Sequence, residues 1–452
     1  MRLRKTITTI VATAILLAGW QLFAVIANQP ELIPSLPRLV RTLCEWLVSG
    51  SFYQSVGATI LRGILGMSIS FVCAIGMAGL FARFEWVYEL FRPLLAIMRS
   101  IPVISFILLA LIFLNPESIP LMIAFLTMFP LLTENLTRGI LDLRPGLSIM
   151  ARQFHIKRSN VLFQIIYPQL KPFLYSGLAS AAGFGWRAII MGEVLSQCAF
   201  GIGSEMKRAQ NFIAVPELLA WTIVAVFISF FFDKGISKVA DITPKISFAN
   251  EDQTIPTPTL SVLDTKDISY QYGIQHFSHS FQKAIIYGIS APSGKGKTTL
   301  LNLIGGILLP TEGEIHPTRH FGIATIFQQP QLLPHLTAEE NIILPLSSFL
   351  TEEKARRIAQ KHLQEMEMEP FGNRYPKELS YGQQQRIAIA RALAYPSPLL
   401  LMDEPFKGLD EALSHRIIER IREKQMKEER IILFTSHNPD EIRLLADEVI
   451  YL

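Results

Sequence analysis

Long apolar runs fill residues 6–233 of this 452-residue chain, while charged residues crowd into the remainder. An apolar stretch of about 18 to 25 residues is long enough to cross the hydrocarbon core of a bilayer as a helix. A helix serves there because it satisfies its own backbone polar groups. The runs divide into roughly 6–27, 60–82, 90–114, 118–136, 173–196 and 216–233. This predicts an all-α polytopic membrane domain of about six transmembrane helices. Arg99 with Pro102 interrupts the third stretch, and Pro130 with Glu134 the fourth. Half of the chain is hydrophobic and only 18% is charged, an apolar excess for a soluble protein.

Basic residues in the flanks of the spans set their orientation. Arg2, Arg4 and Lys5 precede the first stretch, whereas the loop at 115–118 carries no basic residue. The long loop after the fourth stretch holds Arg138, Arg144, Arg152, Lys157, Arg158 and Lys171, and Lys234, Lys238 and Lys245 follow the sixth. An even number of crossings then puts everything after residue 234 in the cytoplasm. Arg38, Arg41, Lys207 and Arg208 fall on the outer side, against the trend. The first stretch has a rival reading as a cleaved signal peptide, from its basic start and its Val25-Ile26-Ala27 ending. Its length and the internal Trp20-Gln21 favour a retained helix. A net charge of +4 is too small to suggest nucleic acid as a partner. Cys44, Cys73 and Cys198 are scattered without metal-ligand spacing and read as packing residues. No repeat of 20 to 50 residues is visible. Residues 239–258 turn polar and bear Pro244, Pro256 and Pro258, as a linker does. The expected division is a membrane domain over 1–238, a linker over 239–258 and a further domain over 259–452.

In that last domain a short apolar strand, Ile285 to Ser290, runs into Ala291-Pro292-Ser293-Gly294-Lys295-Gly296-Lys297-Thr298-Thr299, and a helix-like run follows. Strand, glycine loop and helix is the context of a P-loop. Its backbone N–H groups, from Ser293 to Thr299, and the helix N-terminus would cradle phosphates. Lys297 would reach the β- and γ-phosphates and Thr298 would ligate Mg²⁺. Ala291 stands where the first glycine is usual, a change that costs on the order of 1 kcal/mol if a left-handed backbone is needed there. Leu399 to Glu404 is a buried-strand pattern ending in two carboxylates. Asp403 fits an acid on the Mg²⁺ side, and Glu404 fits a base that polarises attacking water.

Together with FQQP (327–330), LSYGQQQR (379–386) and TSHN (435–438), in that order and spacing, these blocks resemble the ATPase domain of ABC transporters. The resemblance implies an α/β P-loop fold with ATP and Mg²⁺ as cofactors. It implies that Gln328 senses the γ-phosphate and Mg²⁺, and that His437 is the switch histidine. Ser380, Gly382 and Gln383 belong to the signature that completes the ATP site of another subunit, so a second copy of the chain is implied. Tyr381 replaces the first signature glycine, and Lys407 precedes the Gly408-Leu409-Asp410 loop that crosses the dimer. For stacking on adenine Tyr272 is favoured, with Tyr270 its near rival. The domain stops at a last strand, Glu448 to Leu452, and no regulatory extension is expected.

Residues 150–172, then GLASAAGFGWRAIIMGEVL (177–195) and GIG (201–203), resemble the cytoplasmic coupling loop and following span of binding-protein-dependent permeases, most nearly the nitrate, sulfonate and taurine group. The resemblance covers most of 55–235. Ala151 and Pro168 match, Ile149 and Met150 replace the family's Glu-Ala, and His155 stands where the family has glycine. In that family the loop forms a short helix docked in a groove on the ATPase. The implied function is ATP-driven import of a small molecule across the cytoplasmic (inner) membrane of a prokaryote, by a homodimer fed by a separate extracytoplasmic substrate-binding protein. An exporter half-transporter and a degenerate membrane scaffold or sensor are the alternatives. In the fifth stretch, Arg187 lies near Trp186 and Glu193. It either pairs with Glu193 or Glu134, or it meets an anionic substrate.

Overall fold

The computed structural model describes residues 2–240, 244–253, 260–271, 273–292, 294–317 and 322–452. Two compact units are present, Met1–Leu143 with Gln169–Thr243, and Arg144–Pro168 with Pro244–Leu452.

The described part of the first unit is helical, with α1 (Arg2–Ala27), α2 (Leu36–Trp46), α3 (Gly50–Arg83), α4 (Glu85–Ser100), α5 (Val103–Phe113) and α6 (Ile119–Leu141). After α7 (Pro145–Gln153) and α8 (Arg158–Asn160), which belong to the second unit, come α9 (Tyr167–Ser196), α10 (Ile202–Asn211) and α11 (Val215–Ala240). Four helices among the described residues are long and apolar enough to cross a membrane: Gly50–Arg83, Pro116–Leu141, Arg158–Ser196 and Val215–Lys238. A fifth is reached if α4 and α5, bent by 95°, count as one span, and Val11–Ala27 is a shorter apolar helix. The single crossing expected over 90–114 is therefore corrected to a bent pair. Pro102 offers no N–H and pushes Ile101 into an extended conformation (ψ 129°), so α4 stops at Ser100. Pro130, by contrast, sits inside an unbroken α6.

Helix α3 buries a stripe of small residues, among them Ser55, Thr59, Gly63, Gly66, Ser70, Ala74 and Ala78. Small side chains let helices approach closely without help from a hydrophobic effect that lipid does not supply. At Gly66 the approach is tight, since a Cβ there would lie 2.6 Å from the Ala124 Cβ of α6.

The second unit holds two sheets. Strands β1 (Val262–Tyr270), β2 (Ile274–Gln282) and β4 (Glu312–His316) form an antiparallel sheet in the order β2-β1-β4. Strands β3 (Ile286–Ser290), β5 (Ala324–Ile326), β6 (Leu399–Asp403), β7 (Ile431–Thr435) and β8 (Glu448–Tyr451) form a parallel sheet, β5-β6-β7-β3-β8. Strands β6 and β7 are buried along their whole length, as unbroken apolar runs require when helices cover both faces of a sheet. The helices of this unit are α12 (Lys297–Ile304), α13 (Ala338–Leu346), α14 (Glu352–Glu365), α15 (Tyr381–Ala394), α16 (Glu411–Glu428) and α17 (Pro439–Leu445), of which α12, α15 and α17 pack on the parallel sheet.

Residues 144–168 are built into the core of this unit. Leu147, Met150, Ala151, Phe154, Ile156 and Ile165 are buried in one cluster with residues of α13, α14 and α15. Phe154 meets the Tyr395 ring edge-on at 5.2 Å, and the Arg391 guanidinium lies over it at 5.4 Å. Gln153 Nε2 donates to the Gly305 carbonyl at the end of α12 (2.8 Å), and Ile323 N–H donates to the Gln153 carbonyl (2.7 Å). Helix α7 ends in a left-handed turn at His155 (φ 45°), with Ile156 N–H donating to the Ala151 carbonyl at 3.0 Å. His155 thus adopts the backbone conformation that a glycine would adopt most easily there. Residues 244–253 have no helix or strand, yet they are held against the same unit. Asn160 exchanges two hydrogen bonds of 2.8 Å with the Ser247 backbone, and Ala249 N–H donates to the Ser347 carbonyl at 3.0 Å.

Candidate functional site

The site forms where parallel strands β3, β6 and β7 end. Strand β3 passes into the glycine loop, in which Gly294 (φ 83°) and Gly296 (φ 92°) take left-handed conformations. A Cβ at Gly296 would lie 2.5 Å from the Gly273 carbonyl oxygen, so only glycine fits. Gly296 caps α12, and Lys297 is the first residue of that helix. The Lys297 side chain is buried back along the loop, where Nζ donates to the Ala291 carbonyl at 2.6 Å and approaches His437 Nδ1 at 3.4 Å. Thr298 is exposed and Thr299 half-buried, and Lys295 and Gly294 face solvent.

Asp403 and Thr435 end adjacent strands in register. Thr435 Oγ1 donates to Asp403 Oδ1 (2.7 Å) and accepts from the Glu404 N–H (3.0 Å), while Thr298 Oγ1 donates to Asp403 Oδ2 (2.9 Å). One hydroxyl therefore fixes both acids. Burial pushes the Asp403 carboxyl up, against the two hydroxyl hydrogen bonds that favour its anion. Glu404 itself has a left-handed backbone (φ 49°). Its carboxylate faces His437 Nε2 at 3.0 Å, Lys407 Nζ at 3.2 Å and Gln328 Nε2 at 3.3 Å. Burial pushes the Glu404 carboxyl up, but the Lys407 and Gln328 hydrogen bonds and the charges of Lys407 and His437 outweigh it and hold it below its ordinary value.

Lys297, Thr298, Asp403, Glu404, Gln328 and His437 are thus gathered in one place. Ser380 caps α15, its hydroxyl accepting from Gln383 N–H (3.3 Å) while Gln383 Oε1 accepts from Ser380 N–H (2.9 Å). Gly382 lies against Gly408, whose carbonyl oxygen a Cβ at 382 would meet at 2.5 Å. Among the described residues no hydrogen bond joins Ser380, Gly382 or Gln383 to Lys297, Thr298 or Asp403. Ser293 and Tyr272 lie outside the described residues. Tyr270 is half-buried and packs against the core beneath the antiparallel sheet.

Three contributors escaped the sequence reading. Thr435 opens the TSHN block but was given no role of its own there. Lys407 was noted only for preceding the Gly408-Leu409-Asp410 loop, and its pairing with Glu404 was not foreseen. Tyr381, noted only as a missing glycine, donates its hydroxyl to the Gln328 carbonyl at 2.8 Å. A cavity of about 270 Å³ is lined by Asp403, Thr298 and Gln328 together with Gly146 and Ile149 of the loop over 144–168. The ion pairs expected for Arg187 are corrected. Glu193 is taken by Arg62 (2.7 Å), and Glu134 by Arg99 and Arg138.

This constellation on a parallel sheet is that of an ATP-binding cassette, and residues 274–407 match the family model described as ABC transporter. Residues 56–233 match the model of the binding-protein-dependent transport system inner membrane component. The chain is 34% identical over 205 residues to a thiamine import ATP-binding protein of Yersinia pseudotuberculosis, covering 42% of this chain and 86% of that protein. It is 35% identical over 189 residues to an Fe(3+) ions import ATP-binding protein of Rhizobium etli, covering 40% of this chain and 54% of that protein. The chain spans about half the length of that relative and of a glucose import ATP-binding protein of Saccharolobus solfataricus, 50% of which it covers. A solved ATP-binding cassette, bound to ADP and Pi in a post-hydrolysis dimer, is 31% identical, with a TM-score of 0.40, and covers 42% of this chain and 94% of that one. The chain belongs to the ABC transporter family. Within it, this polypeptide joins a binding-protein-dependent permease domain to an ABC ATPase domain.

Proposed function

We propose that the chain is a fused half-transporter that couples ATP hydrolysis to import of a small solute across the cytoplasmic membrane. It works as a homodimer and receives its solute from a separate extracytoplasmic binding protein. The observation that carries this reading is the loop over 144–168. It connects two helices of the membrane unit in sequence, yet its apolar residues are core residues of the ATPase unit. A loop rooted in this way moves with the ATPase, as coupling requires. The import ATP-binding names of the relatives support inward transport over the exporter alternative. The intact set of charged and polar groups around Glu404 speaks against a degenerate scaffold.

In the proposed chemistry Lys297 leaves the Ala291 carbonyl and binds the β- and γ-phosphates of ATP. The α12 N-terminus and the loop N–H groups from Ser293 to Thr299 hold the remaining charge. The Thr298 hydroxyl, the Asp403 carboxylate and the Gln328 side-chain oxygen are the hard oxygen donors that Mg²⁺ prefers. A carboxylate both buried and held by hydroxyls, as Asp403 is, suits a cation. Mg²⁺, when bound, neutralises phosphate charge. Glu404, kept ionised by its neighbours, accepts hydrogen bonding from the attacking water, and His437 lies beside it to contact the γ-phosphate. Ser380, Gly382 and Gln383 serve the site of the second copy. Tyr272, or Tyr270, stacks on adenine.

The test is Glu404→Gln in the purified full-length protein in lipid nanodiscs. The variant should bind ATP normally and hydrolyse it at least about a hundredfold more slowly, the scale of general-base loss. Near-normal turnover would remove Glu404 from its role.

A further inference from the structure

We infer that Tyr381 is a positioning residue that couples the two ATP sites of the dimer. It ties Gln328, which serves the chain's own site, to the signature helix, which serves the partner's. This rests on the homodimer reading above and adds a regulatory contact to the same site. A glycine at position 381 would have no side chain with which to make that contact.

Tyr381 is the first residue of α15, directly after the Ser380 cap. Its hydroxyl donates to the Gln328 carbonyl at 2.8 Å, and Gln328 Nε2 in turn donates to Glu404 Oε1 at 3.3 Å. Lys407 Nζ reaches the other Glu404 oxygen at 3.2 Å. The next residue, Gly408, has a left-handed backbone (φ 81°), and a Cβ there would lie 2.7 Å from Tyr381 Cδ1. Only glycine fits against the ring. The contacts thus close a circuit from Tyr381 through Gln328, Glu404, Lys407 and Gly408 back to Tyr381.

The same helix grips the same loop a second time. Arg391, buried further along α15, donates from Nη2 to the Pro330 carbonyl (2.9 Å) and from Nη1 to the Gln331 carbonyl (2.8 Å). Residues 328, 330 and 331 are therefore all held by α15 through their carbonyls. Close-packed segments bonded in this way transmit displacement and do not absorb it.

Gln328 has two possible partners. In the structure its amide nitrogen donates to Glu404; in the proposed chemistry its side-chain oxygen turns to Mg²⁺. A shift of the loop between these arrangements passes through the Tyr381 hydroxyl to α15, and so to Ser380 and Gly382. Nucleotide at one site then prepares the signature that the other site needs, and the coupling runs equally in both directions.

The test compares wild type with Tyr381→Phe, each full-length in nanodiscs, for Mg²⁺-dependent hydrolysis over a range of ATP concentrations. Phenylalanine keeps the ring against Gly408 and removes only the hydroxyl, so the melting temperature should stay where it is. Two sites allow a Hill coefficient of about 2 at most, and the inference expects about 1.5 or more in wild type and about 1.1 or less in the variant. A tyrosine that merely packs would alter the maximal rate or the melting temperature and leave the Hill coefficient unchanged. Equal Hill coefficients in the two proteins overturn the inference, whatever their maximal rates. So does a wild type that hydrolyses ATP without cooperativity. Both results leave the transport reading standing, whereas a wild type with no Mg²⁺-dependent hydrolysis defeats that reading and this inference together.

Discussion

Thr435→Val replaces one hydroxyl by a methyl group of the same shape, so no cavity forms at this fully buried position. What is lost is the 2.7 Å hydrogen bond to the Asp403 carboxylate and the acceptor for the Glu404 N–H at 3.0 Å. A hydrogen bond to a charged group contributes about 1.5–3 kcal/mol, and a buried N–H left unpaired costs about 1–3 kcal/mol. The nucleotide-free ATPase unit should therefore lose about 3–5 kcal/mol, seen as a lower melting temperature of the purified protein. If about 1.4–2.8 kcal/mol of that loss reaches the transition state, through a misplaced Glu404, turnover falls about tenfold to a hundredfold. The assay is Mg²⁺-dependent ATP hydrolysis at saturating ATP, with a Mg²⁺ titration alongside, and Thr435→Ser as the control that keeps the hydroxyl. A Thr435→Val protein with wild-type turnover and an unchanged Mg²⁺ requirement would refute the argument that this hydroxyl aligns the two acids.

His155→Val forces a β-branched side chain into a left-handed backbone (φ 45°); it should lower stability by about 1–2 kcal/mol, while His155→Gly should not, and thermal unfolding separates the two. His362 is buried beside Lys424, whose Nζ donates to its Nε2 at 2.9 Å, and burial with that charge lowers its pKa to about 4. A folded value below the ordinary 6.5 means a stability contribution present in full above 6.5 and lost as pH falls towards about 4. Melting temperature should therefore drop across that window, and His362→Gln should flatten the drop.

The glycine loop was legible because a phosphate cradle, the role proposed for it, dictates its own sequence. Gly296 must be glycine where its Cβ would strike a carbonyl, Lys297 must open the helix, and Asp403 must end a buried strand. Spacing reveals such constraints. What spacing conceals is who meets whom across the fold. Glu193 lies six residues from Arg187, yet it pairs with Arg62, 131 residues away. Sequence proximity thus pointed to the wrong partner. The docking of residues 144–168 on this chain's own ATPase unit was implied by family likeness, but its anchors, Phe154 beneath Arg391 and Gln153 at the end of α12, carry no sequence signal. Pro102 was visible as an interruption, but the 95° angle between the helices on either side of it was not. His155 illustrates the reverse case, where a residue in place of a glycine still takes a left-handed backbone (φ 45°).

One chain, paired with a copy of itself, is proposed to form both the membrane passage and a complete ATPase. The most direct test mixes Lys297→Ala chains with Ser380→Ala chains in nanodiscs, with subunit exchange verified. Each variant alone lacks one essential group in both sites of its dimer and should be inactive. In a mixed dimer, one site lacks both groups and the other is whole. Random mixing of a two-fold dimer then predicts recovery of about a quarter of the wild-type sites. Mixtures that exchange subunits freely and recover no hydrolysis would contradict the claim that two copies of this chain share their ATP sites.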